Sequence, residues 1–366
     1  MKVTIERESF VKALSIGMQM AGKAKGLSIL ENVKCTFKDN TATISSYDSE
    51  VAITKRVSIV DNECDFDVCV EPRMLASMLN SIKDEQVVMD FDNYNCEIQH
   101  KKGVMSLPYE DTDEYPAPIF DKDMKKFEVD AMKVYNWLKE ARSFVSVNTL
   151  YPQMMGVYLY FEDGEFGVAA TDSNVMYHDK IEYDYHDTPS NMVVCAKAIN
   201  AILPMINGCD KITIMNGERN VVFRTMDSML VATKTEQPYP RFKSIIPKSY
   251  KIEIELNKNE FVESVKRTLI TANEKTSLLK LNINSMMIAI NSEDIMNNKK
   301  SKDECSCTCI GGEIEIGFRG TYLLDVMNAI SSDTIKLMLN EPRTPAVWVD
   351  MLNNNKILLQ MPCAMD

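Results

Sequence analysis

One stretch of this 366-residue chain is written more than once. Residues 32–52, NVKCTFKDNTATISSYDSEVA, align without gaps with 156–176, GVYLYFEDGEFGVAATDSNVM, at an offset of 124 residues. They share Val33/Val157, Phe37/Phe161, Asp39/Asp163, Asp48/Asp172, Ser49/Ser173 and Val51/Val175. A shorter echo runs through three places, Asp84 to Met89, Asp210 to Met215 and Asp333 to Met338, at offsets of 126 and 123. A unit of roughly 120 residues, long enough to bury its own core, is therefore used three times. Tyr115-Pro116 and Tyr239-Pro240, again 124 apart, close the first two copies. The expected domains are 1–122, 123–249 and 250–366.

Each copy opens on an apolar stripe of helical period: Phe10, Ala13, Leu14 and Ile16/Gly17; Val134, Trp137, Leu138 and Ala141; Phe261, Ser264, Val265 and Leu269. Two alternating runs follow in each, joined at Lys38-Asp39-Asn40, Glu162-Asp163-Gly164 and Asn284-Ser285, residues that suit hairpin turns. A second helix is expected near 72–82, 197–207 and 320–330, followed by further short strands. Two helices segregated on antiparallel sheets in each copy define an α+β architecture. The lysine-rich segment 295–304 reads as a surface loop.

The chain carries −12 net charge, which argues against phosphate binding until its distribution is considered. The six helical segments, taken as 8–25, 72–83, 131–143, 197–207, 258–269 and 320–330 with Arg319, total +8. If they face one side, that side is basic on an acidic body; the plainer reading is that they are ordinary solvated helix faces.

Catalytic and metal chemistry is not signalled. His100, His178 and His186 form no paired-histidine motif, and no phosphate-cradling glycine loop or nucleophile elbow is present. Asp48 and Asp172 recur between copies, which favours a turn or cap over an acid–base pair. The ten cysteines, without a secretory leader, read as reduced thiols of a cytoplasmic protein. Cys305, Cys307 and Cys309 alternate onto one strand face, without the paired knuckles of a zinc site. No cofactor and no metal are expected. The 25 methionines are mostly core filler, although methionine also suits surfaces that accept several partners.

Over its whole length the chain resembles the bacterial DNA polymerase III beta subunit, the sliding-clamp family. The residues that carry the likeness are the opening MKVTIERESFVKAL, Gly156-Val with Ala170-Thr-Asp-Ser173, Gln237-Pro-Tyr-Pro-Arg-Phe242 with Ile245-Ile-Pro247, Ala272-Asn-Glu-Lys275, Glu315-Ile-Gly-Phe318, Tyr322 to Ala329, and Met361-Pro362. The resemblance implies a DNA-clamp fold of three similar domains joined head to tail as a ring homodimer around double-stranded DNA. Such a ring is a non-enzymatic processivity factor of DNA replication, with helices lining the hole and no membrane partner. Matching positions imply Lys23, Lys25, Arg73, Tyr151 and Lys197 as DNA-facing. They also imply a pocket between the second and third domains for short linear motifs of the replicative polymerase, clamp loader and repair factors. Its residues are Met154, Thr171, Ser173, Asn174, Val175, Met176, Pro240, Ser244, Ile245, Leu359, Met361, Pro362, Cys363, Ala364 and Met365. Asn174, Val175, Ser244 and Ala364 are uncharged where the family often carries basic residues. The ring joint is expected to set Met105 and Leu107 against Ile270 and Thr271. The alternative is a clamp-like peptide-binding scaffold that does not encircle DNA.

Overall fold

The computed structural model describes residues 1–23, 26–184, 190–235 and 237–365. Among these, six α-helices punctuate a chain that is otherwise mostly strand: α1 Arg7–Gly17, α2 Pro72–Ser81, α3 Ala131–Ala141, α4 Ala196–Ile206, α5 Lys258–Leu269 and α6 Gly320–Asn328. Their starts follow from local chemistry. The Glu6 carboxylate accepts from the amides of Glu8 and Ser9, Glu71 from Arg73 and Met74, and Asn257 from Glu260, so otherwise orphaned first-turn donors are satisfied. Pro72 occupies the first turn of α2, where its missing N–H costs nothing. The predicted stripes are the buried faces: Phe10, Ala13, Leu14 and Gly17 in α1, and Phe261, Ser264 and Val265 in α5.

The first helix is shorter than the expected span of 8–25. It ends at Gly17, where a Cβ would stand 2.5 Å from Ile44 Cγ2 and 2.9 Å from the Ile44 carbonyl oxygen. Lys23 thus leaves the helix. Within the observed bounds the six helices total +4.

The described chain clusters into two compact units: Met1–Tyr135 with Lys197–Lys234, and Asn136–Ala196 with Thr235–Asp366. The first holds a 13-stranded sheet and the second a 12-stranded sheet, among the described residues, with antiparallel pairing throughout. Repeats are fused edge to edge within them. In the first unit the strand Val51–Ser58 of the first repeat pairs with Ser228–Thr233 of the second. In the second unit Val175–Glu182 of the second repeat pairs with Ile357–Gln360 of the third.

Two of the predicted hairpins close as the sequence requires. Asp39 and Asn40 have φ of 49° and 55°, and Asp163 and Gly164 have 54° and 78°, the left-handed pair of a type I′ turn. The surface-loop expectation for 295–304 is corrected: Lys299–Ile310 is a 12-residue strand paired in register with Met287–Asp294, and only the turn before it is irregular. The strand was hidden because most of its side chains are solvent-exposed, so it lacks the apolar alternation that announces a half-buried strand. The alternation of its cysteines does hold, with Cys305 buried and Cys307 and Cys309 half-buried on the same face.

Candidate partner-binding site

The second unit builds its site on the turn at Asp172. Asp172 Oδ1 accepts from the amides of Asn174 (2.8 Å) and Val175 (2.9 Å), while Ser173 sits at φ 82°. Thr171 Oγ1 donates to the Val175 carbonyl at 2.7 Å and accepts from Ser173 N. The Tyr322 hydroxyl, from α6, donates to Asp172 Oδ2 at 2.5 Å. Asp172 therefore spends its oxygens on holding the turn, the structural role its recurrence suggests.

That turn leaves Ser173 and Asn174 exposed and turns Val175 and Met176 inward. Val175 and Met176 pair with Gln360 and Leu359, and the Met361 amide donates to the Asn174 carbonyl at 2.7 Å. Met176, Leu359, Phe242 and Val347 form a buried floor, with Met361, Tyr239 and Ile246 half-buried against it. Met154 Sδ lies 3.9 Å from Ser173 Oγ. Pro240, Ser244 and Ile245 arrive on the segment around Phe242, whose 3₁₀ turn is tied by Ser244 Oγ donating to Arg241 O. These expected residues are brought together, but Val175, Met176 and Leu359 contribute support, being almost wholly covered. Cys363 bonds back to Gly317 O at 2.8 Å. Met365 lies against Gly317 and lines a separate cavity of about 630 Å³ with Leu278 and Lys302.

The sequence reading missed the aromatic floor. Tyr158 stacks on Tyr239 at 4.4 Å between centroids, and Tyr160 and His178 pack on Phe242. The recurrence of Tyr-Pro at 239–240 was the available signal. His178 Nε2 and the Tyr160 hydroxyl are 2.7 Å apart, and burial, aided by Lys243, pushes the imidazole down to about 4. The native protein thus keeps the ring neutral where an unfolded chain protonates it below about 6.5. His178 stabilises the fold fully above that pH, and its contribution of up to about 3 kcal/mol is lost as pH falls towards 4. Urea midpoints at pH 7 and pH 4.5 should therefore differ by more in the native chain than in His178→Gln; equal pH losses would refute this.

The basic candidates are arranged differently. Lys23 and Arg73, both exposed, line one cleft of about 450 Å³ in the first unit, together with Gln19 and Glu71. Lys25, like His186, lies outside the described residues. Tyr151 is exposed at the start of the Pro152–Met154 turn. Lys197 is engaged: its Nζ is 2.8 Å from both Asp48 Oδ2 and Glu50 Oε2. Partial burial opposes its charge, but the hydrogen bonds from Lys197 to those carboxylates outweigh it and leave the pKa above the ordinary lysine value.

Of the expected joint residues, Leu107 is buried in its own unit's core and Met105 is partly buried beside it. They sit on Gly103–Glu110, which pairs with Asn95–His100; only Tyr109 and Glu110 find a second strand among the described residues. Ile270 is exposed at the end of α5, whereas the Thr271 hydroxyl is tied into Ser292 and Ser301. The neighbouring strand Lys299–Ile310 has a second described partner only from Cys307 onward. Burial pushes the Cys305 and Cys307 thiols up, to about 12 and about 11, so neither is an activated thiolate.

Two family models match the chain: the N-terminal domain of the DNA polymerase III beta subunit over residues 1–119 and its C-terminal domain over 243–364. The chain belongs to the DNA polymerase III beta subunit family. It is 22% identical to the beta sliding clamp of Rickettsia bellii, with 99% of each chain covered, and 22% identical to that of Bacillus subtilis, with 94% of each covered. The fold is also that of solved beta subunits. The Thermotoga maritima protein superposes with a TM-score of 0.93 at 17% identity, and a Pseudomonas aeruginosa sliding clamp bound to griselimycin with 0.93 at 18%, each covering 100% of both chains. The beta-subunit models flank residues 120–242, the stretch that holds the Asp172 turn. No helix among the described residues is long and apolar enough to cross a membrane.

Proposed function

We propose that this chain is a non-enzymatic sliding clamp: two copies close head to tail around duplex DNA and tether the replicative polymerase, giving it processivity. The observation that carries the reading is the threefold repeat fused through continuous antiparallel sheets, with helices that total +4 on a chain of −12. Diffuse attraction to phosphates without base-edge contacts holds DNA without fixing a register, which permits sliding. Lys23, Arg73 and Tyr151 are the proposed DNA-facing residues, with Lys197 contributing less because two carboxylates already neutralise it.

Three domains, 1–122, 123–249 and 250–366, are the proposed units of assembly. The stretches Gly103–Pro108 and Lys299–Ser306, which have no second strand partner among the described residues, with Met105 and Ile270 near them, support joining of two chains by strand addition. The site around Ser173, Ile245 and Met361 is the proposed seat for short linear motifs of the polymerase, clamp loader and repair factors, in the cytoplasm. Its apolar floor suits apolar anchors.

Topological retention tests the reading. Protein assembled on closed circular DNA should remain bound through a high-salt wash and be released when the circle is cut once. A groove binder would respond to salt alone, and loss from intact circles as rapid as from linear DNA would refute encirclement.

A further inference from the structure

The alternating cysteines gather a methionine at one end of the second unit. On the strand Lys299–Ile310, Cys307 and Cys309 lie half-buried on the face that carries the buried Cys305. The Cys307 amide donates to the Met286 carbonyl at 2.9 Å, and the Cys309 amide to the Ser285 carbonyl at 3.1 Å. The register agrees: Ile288 stands opposite Cys305 and Met287 opposite Ser306, which sets Met286 opposite Cys307. Alternation gives Met286 the face of Ile288, and so the face of the cysteines. Opposite residues hold their Cβ atoms about 5 Å apart, so a thioether stands beside the first thiol. From Cys307 onward the strand also pairs with Ile252–Asn257, so these residues lie beyond the stretch proposed to join two chains.

The two thiols make weak contacts that a ligand can replace. Cys307 Sγ lies 3.7 Å from the Asn284 carbonyl oxygen and Cys309 Sγ 3.4 Å from that of Gly312. Met286 is 77% exposed, and nothing stands within 4 Å of the place a Cβ would take on Gly312, so the approach beside Cys309 is open. Cys309 adds to the upward push that burial exerts on the Cys307 thiol, as two sulfurs within electrostatic reach require. A disulfide does not suit the pair. Residues two apart on a strand are separated by about 6.7 Å, whereas the Cβ atoms of a cystine stand about 3.8 Å apart. One metal ion about 2.3 Å from each sulfur spans the larger gap.

We infer that Cys307, Cys309 and Met286 form a binding site for a soft monovalent metal ion, with copper(I) the occupant that their donor set selects. Two thiolates and a thioether are soft ligands, which favour copper(I) over hard cations. Zinc fits less well, because a structural zinc takes four nitrogen, sulfur or oxygen ligands. Among the described residues, no group of three or more His, Cys, Asp and Glu side chains is placed to supply them. On binding, each of the two thiols gives its proton to water and each thiolate forms one bond to the metal. Met286 adds a neutral third ligand. Copper enters and stays in the monovalent state, so no oxidant or reductant takes part. The site is independent of the clamp reading and uses none of the residues around the Asp172 turn.

Competition for copper(I) tests it, with the reduced full-length protein titrated anaerobically into the coloured copper(I)–bicinchoninate complex. The native chain should withdraw one equivalent of copper. Cys307→Ser and Cys309→Ser should each lose that equivalent, Met286→Leu should hold it less tightly, and Cys64→Ser, which alters an exposed thiol elsewhere, should leave it unchanged. Circular dichroism checks that each variant is folded, which the half-exposed positions favour. X-ray absorption of the loaded protein should show three sulfur neighbours, falling to two in Met286→Leu. No withdrawal by the native chain, or withdrawal that survives Cys307→Ser combined with Cys309→Ser, would overturn the inference. Retention of zinc(II) in preference to copper(I) by the same residues would overturn the choice of a soft monovalent ion.

Discussion

Lys356→Ala should lower the unfolding free energy by about 3–5 kcal/mol, the usual cost of leaving buried charges without their partner. Lys356 is 4% exposed, and its Nζ donates to the Ala329 carbonyl at 2.7 Å while standing 2.8 Å from Glu140 Oε2 and 3.4 Å from Asp350 Oδ2. Asp350 is fully buried, and its carboxylate also accepts from the amides of Ser331, Ser332 and Leu352. Burial works against that charge, but the hydrogen bonds and Lys356 prevail and hold the carboxyl below its usual range. Glu140 is further fixed by the Tyr177 hydroxyl at 2.8 Å. Removing the ammonium leaves two carboxylates facing one another around an unpaired carbonyl. Urea unfolding at pH 7 reads the effect directly, and a loss below about 1 kcal/mol would show that water enters and replaces the lysine. Replacing Lys356, Glu140 and Asp350 together by apolar residues of similar volume should cost less than the single change, since the desolvation of all three charges is then relieved.

Lys23→Glu combined with Arg73→Glu should weaken binding to linear duplex DNA by roughly a hundredfold at low salt, and flatten its salt dependence. Both side chains are exposed on the same cleft. For each phosphate the protein no longer neutralises, the slope of log affinity against log salt falls by about one. Lys197→Ala should have a smaller effect, because Asp48 and Glu50 already compete with any phosphate for its ammonium. Unchanged binding to linear duplex in the double reversal would contradict the basic-lining proposal. The circular dichroism spectrum separates this from misfolding, since both side chains point to solvent.

Much of the architecture was legible because it depends on short-range patterns. Repeated turn residues and helical stripes such as Phe261, Ser264 and Val265 act over a few residues, so the chain displays them directly. The recurrence of Asp48 and Asp172 was likewise readable as a turn device. Three things required tertiary structure. The strand Lys299–Ile310 is polar along most of its length, and its existence depends on a partner strand more than on its own composition. The charge state of Lys197 depends on carboxylates more than 140 residues away in sequence. The buried floor beside the Asp172 turn is assembled from the second and third repeats, Met176 and Phe242 from one and Val347 and Leu359 from the other, so no window of sequence contains it. By itself the sequence determined the repeated unit, its turns and its helix faces, because these follow from backbone preference and periodicity. Only the tertiary structure decided which copies share a sheet, which charges are already spent and which apolar side chains are covered, because pairing and burial are set between residues far apart in the chain.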